Sequence, residues 1–217
     1  LNTRMIRQIH PRQIFKGLVR DHSLVANKLK NVLHISIKSK EINYNTVASL
    51  ANIFNTIRKK NYGKNKHINC VLLMSPVHCL ADIDNQSFES NRRLLAEDNI
   101  ANLVKSMEDT NVPIISTISG DCHGKGLQFI LGSDIIFANT NSKISIVYDQ
   151  NNNYLPDISD RTDKHMCYAE NNMKFITAVT NKEHQHAFDL ANYFSRSHPD
   201  MVDRIKRDFV IAKRKRI

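Results

Sequence analysis

Most of the chemistry this sequence offers sits in one short run, Gly120-Asp121-Cys122-His123-Gly124-Lys125-Gly126. Glycines at this spacing let backbone N–H groups approach a ligand closely. Asp121, His123 and Lys125 could move protons there, although His123 and Asp121 equally suit polar loop positions satisfied by backbone. A second concentration lies at the end, where Lys213, Arg214, Lys215 and Arg216 follow Arg204, Lys206 and Arg207. That pattern suits phosphate neutralisation on RNA or another polyanion, or else a solvated basic arm. The four cysteines, Cys70, Cys79, Cys122 and Cys167, form no CxxC pair and no zinc spacing with histidine. Free thiols and no metal are the expectation.

Composition narrows the class. The chain has 217 residues, 41% hydrophobic and 24% charged, with a formal net charge of +10. These values suit one soluble globular domain of α/β or α+β type with a proper core. No apolar run reaches the roughly 18–20 residues that span a bilayer. The positive balance concerns partners: nucleic acid, an acidic carrier, an anionic surface or a phosphate-bearing cofactor. Residues 1–20 hold five bases and no acid, and the chain begins with Leu. A processed or excised chain, intracellular and mitochondrial, is the expectation from that start.

Elements must position the glycine turn. Residues 1–30 read as a basic arm, irregular or helical. Val32 to Ile37 alternates with period two and predicts a strand. Asn45 to Lys59 has helical spacing. Ile68 to Met74 reads as a buried strand, and Asn91 to Asp109 as a helix. Val112 to Ile118 is a further strand running into the turn, followed by an apolar helix from Leu127. Asp134 to Ala138 and Lys143 to Val147 complete the strands. Asp134, at a helix-to-strand junction, is expected to bind backbone N–H groups. Residues 149–181 are poor in pattern and read as an exposed loop region. Helices return at Lys182 to Ser195 and from Pro199, with Met201, Val202, Ile205, Phe209 and Ile211 as an apolar stripe for core or subunit contact. Strands alternating with helices imply a parallel sheet. The organisation is thus an arm at 1–30, a core at 31–148, a loop region at 149–181 and helices with a basic tail at 182–217.

In this order, the motifs resemble the crotonase (enoyl-CoA hydratase/isomerase) superfamily. Gly120 to Gln128 is similar to that family's Asn-Gly-x-x-x-Gly-Gly-Gly-x-Glu segment. Ser133-Asp134-Ile135-Ile136-Phe137-Ala138 is similar to its Cys-Asp-Ile-x-x-Ala strand. Val77-His78-Cys79-Leu80-Ala81-Asp82-Ile83 resembles its Phe-x-Ala-Gly-Ala-Asp-Leu loop with one residue deleted. The likeness covers residues 30–148 and returns at 179–210. It implies an α/β fold of repeated ββα units with a C-terminal helical region.

The resemblance also implies a ligand: an acyl thioester of coenzyme A or of a carrier protein. Its carbonyl would be polarised by the backbone N–H of Cys79 or Leu80 and that of Lys125. A lysine in place of glycine crowds that hole. Hydration needs two carboxylates. Gln128 stands at the first position and cannot ionise. Tyr148 stands at the second, with Asp149 one residue away. Hydratase activity is therefore not expected. Isomerase or decarboxylase chemistry could draw on His123, Asp121, His78 or Lys125. Three readings follow: an altered thioester enzyme, a non-catalytic subunit of a large and RNA-bearing organellar assembly, and a regulatory homo-oligomer that binds coenzyme A without turnover.

Overall fold

The computed structural model describes residues 24–38, 44–61, 67–74, 93–122, 124–145, 147–148, 154–155, 166–168 and 175–214. A hairpin comes first, β1 (Leu24–Leu29) with β2 (Val32–Ile37), antiparallel and in register from Leu24↔Ile37 to Leu29↔Val32. Lys30, at the tip, has φ 53°, the left-handed conformation that tight turns require. This strand β1 corrects the expectation of an irregular or helical arm as far as residue 30; residues 1–23 lie outside the described ones. Four parallel strands extend the sheet: β3 (Cys70–Met74), β4 (Ile114–Ile118), β5 (Ile135–Ala138) and β10 (Ala178–Val179), in the order β1-β2-β3-β4-β5-β10.

Alternate residues of each strand feed two cores. Helices α1 (Tyr44–Lys60), α2 (Arg93–Glu108) and α3 (Gly124–Leu131) cover one face. There Phe54, Leu103 and Phe129 bury against Leu33, Ile35, Leu73 and Ile136. Helices α4 (Glu183–Arg196) and α5 (Pro199–Arg214) cover the other. Ala187, Ala191, Phe194 and Val202 pack there on Cys70, Leu72, Ile115 and Phe137. Ile205 and Phe209 of the expected stripe join that core, whereas Met201 and Ile211 remain exposed. Two short ladders stand apart, β6 (Lys143–Ser145) with β9 (Met166–Tyr168), and β7 (Val147–Tyr148) with β8 (Tyr154–Leu155). The expected strand Lys143 to Val147 is therefore divided between two partners.

Asparagines close the end of the sheet where the parallel strands begin. Asn69 donates its side-chain N–H to Phe194 O and Ser197 O, at 3.2 and 3.0 Å. Asn31 does the same to Ser195 O at 3.3 Å. Asn61 accepts from the N–H of His67 and Ile68 and donates to Ile68 O. An amide that both donates and accepts can satisfy the backbone groups left over where helix and strand end.

A buried ion pair fastens α5 to the same end. Lys206 Nζ lies 2.8 Å from Asp134 Oδ2, with the two side chains 3% and 1% exposed. Lys206 also donates to Met107 O at 3.3 Å. Asp134 Oδ2 accepts the Ile114 N–H at 2.8 Å. The expected backbone contact of Asp134 is present, but Lys206 is no solvated base of the tail: it is core. Burial, and then the Asp134 charge, push the Cys70 thiol far above its usual range, so this cysteine stays protonated and inert.

His34, on β2, packs its ring 5.9 Å from that of Phe188 on α4. Burial lowers its pKa from the ordinary 6.5. The neutral ring is thus favoured in the folded state, and its contribution is complete above the unfolded value. It is lost as pH falls below that value and through the folded one. The resistance of the wild type to urea should therefore fall as pH drops below about 6.5, and part of that loss should vanish in His34→Gln. An identical acid profile in the variant would show that His34 is not responsible.

Candidate functional site

The described site lies at the opposite end, where β4 and β5 finish and α3 and α4 begin. Helix α3 starts at Gly124, earlier than the expected Leu127, so Gly124, Lys125 and Gly126 form its first turn. The first N–H groups of a helix have no intrahelical acceptor, which leaves them to face outward along the axis. The helix is held rigidly: Gly126, Leu127, Phe129 and Ile130 are buried, and Gln128 is half-buried. Before it, Cys122 is buried and its N–H donates to Lys143 O at 2.8 Å, tying the turn to β6. Asp121 is exposed. Tyr148 lies in β7 opposite Tyr154. His78, Cys79, Leu80, His123, Asp149, Lys215 and Arg216 lie outside the described residues.

The structure also assembles a cluster that sequence reasoning missed. Ser119 follows β4 directly, and its Oγ is 2.9 Å from His184 Nε2. His184 stands in the first turn of α4, next to Glu183. Glu183 is only 5% exposed. Its Oε1 lies 3.8 Å from the same His184 Nε2, and its Oε2 accepts from Asn139 Nδ2 at 2.8 Å. Asn139 in turn donates its backbone N–H to Ile118 O at 2.8 Å, and Ser142 Oγ donates to the same oxygen at 2.9 Å. His184 Nδ1 is buried and without a partner. The available signal was positional: a serine between a strand and a glycine, and an acidic residue at a helix start.

Among the described residues no group of three or more His, Cys, Asp or Glu could hold a metal ion, and no helix is long and apolar enough to cross a membrane.

No family profile and no curated protein matches the sequence. Solved structures do. An enoyl-CoA hydratase/isomerase from Mycobacterium paratuberculosis superposes with a TM-score of 0.72 at 12% identity, covering 90% of this chain and 87% of that one. An enoyl-CoA hydratase from Bacillus anthracis gives 0.70 at 15% identity, covering 85% and 81%. A methylmalonyl-CoA decarboxylase gives 0.63 at 15% identity, covering 88% and 80%. At such identities the likeness is one of fold.

Proposed function

On this crotonase fold, we propose that the chain binds an acyl thioester of coenzyme A or of a carrier protein at the first turn of α3 and does not hydrate it. The supporting observation is the strand-to-helix passage from β4 into α3, with Lys125 as the second residue of that helix. Its N–H is one of those left without an intrahelical acceptor, and backbone donors survive changes of side chain. A half-buried Gln128 one turn on can hydrogen-bond a ligand but cannot take a proton from water. Cys79 or Leu80 would supply the second donor, as the sequence resemblance implies.

Calorimetric titration with crotonyl-CoA should show saturable binding, and a hydration assay on the same sample should show no turnover. Gln128→Glu alone should leave hydration absent, because one carboxylate cannot handle both water and proton. Turnover abolished by Asp149→Asn would instead identify a surviving carboxylate, and absence of binding would remove the thioester reading altogether.

Self-association belongs to the same proposal. Phe188, Tyr193, Met201 and Ile211, on α4 and α5, are between 37% and 56% exposed and offer apolar surface to a second copy. Sizing should give an oligomer, and a stable monomer at micromolar concentration would count against it.

A second reading has its own support. Helix α5 continues to Arg214 with Arg204 and Arg207 exposed, on a chain of net charge +10. A non-catalytic subunit of an RNA-containing organellar assembly would use that helix as its contact.

A further inference from the structure

We propose that Ser119 and His184 form a nucleophile–base dyad able to accept an acyl or phosphonyl group from an activated ester or thioester. This does not depend on the coenzyme A reading, since it concerns a different set of side chains. The geometry is that of an activated hydroxyl: Oγ and Nε2 are 2.9 Å apart, within hydrogen-bond reach of a base. Both residues are partly exposed, so an ester can reach them. Ser119 stands at the carboxyl end of the interior strand β4, the end of a parallel sheet at which α/β folds place ligands. The neighbouring Gly120 N–H has no hydrogen bond among the described residues and is free to donate to an oxyanion. Glu183 lies 3.8 Å from Nε2, buried and held by Asn139, beside the nitrogen that receives the serine proton.

In the step itself, the Ser119 Oγ–carbon bond forms and the carbon–oxygen or carbon–sulfur bond of the ester breaks. The serine proton passes to His184 Nε2 and then to the leaving group. Water, deprotonated by the same nitrogen, releases the acid. For Nε2 to accept, Nδ1 must carry the ring's other proton, and that nitrogen is buried with no acceptor. The carboxylate that orients a full triad is thus missing from its usual nitrogen, and the reaction is slow.

The test treats the full chain with a fluorophosphonate, in which the Oγ–phosphorus bond forms as fluoride leaves, and locates the adduct by peptide mass mapping. One adduct on Ser119 is expected, absent in Ser119→Ala and formed at least about tenfold more slowly in His184→Gln. Glu183→Gln should slow it severalfold while leaving both dyad members in place, which covers the case that His184→Gln does not fold. Absence of an adduct at Ser119 overturns the proposal. So does equal labelling in both variants, or labelling of the heat-unfolded chain at the native rate.

Discussion

Lys206→Met should lower stability by roughly 3–5 kcal/mol, the cost of leaving a buried charge without its partner. Asp134 would keep its bond from the Ile114 N–H but lose the ammonium 2.8 Å away, with 1% of its side chain open to water for compensation. Met107 O would lose a donor as well. In a chain of this size each kcal/mol moves Tm by roughly 2–4 °C, so the midpoint should fall by about 10 °C. Adding Asp134→Asn removes the orphaned charge and keeps an acceptor for Ile114, and it should restore a large part of the loss. A single variant as stable as the wild type would mean that α5 does not dock through this pair.

The second large effect concerns the tail. Lys213, Arg214, Lys215 and Arg216 exchanged together for glutamine should weaken binding to single-stranded RNA and flatten its salt dependence. Each phosphate contact contributes about 0.7 to the log–log slope, so four contacts would remove up to about 3. Helix α5 is docked by Val202 and Lys206, upstream of these positions, so Tm should stay where it is. Wild-type binding that ignores both the changes and added salt would reduce the tail to a solvated end.

These two predictions mark what was legible in the sequence. Val32 to Ile37 and the helix from Pro199 were readable because apolar residues recur at the period of the element that buries them, and Ile114 to Ile118 as a short apolar-rich run, buried throughout, between Pro113 and Gly120. Leu24–Leu29 was not, because Ala26, Asn27 and Lys28 give an edge strand no clean alternation. The start of α3 was misplaced by three residues because glycines suggest a turn, while a first turn that presents its N–H groups tolerates them. Lys206 looked like one base among seven, and its partner lies 72 residues away with no local pattern to announce it. For the candidate site, Lys125 and Gln128, both on α3, were singled out by the glycine turn and the family resemblance. Ser119, Glu183 and His184 were not, since only the packing of α4 across β4 and β5 brings them together.

The asparagine contacts carry a consequence for a chain made from its N-terminus onward. Asn31 and Asn69 find their acceptors 164 and 125 residues later, and Asp134 finds Lys206 72 residues later. Until α4 and α5 have left the ribosome, the face of the sheet that they cover has neither its apolar cover nor the groups that neutralise its polar rim. The α1–α3 face can consolidate early from nearer contacts, while the other waits, exposing Leu72, Ile115 and Phe137. Truncated or stalled chains ending before Glu183, the first residue of α4, should therefore be the species that chaperones hold and proteases remove.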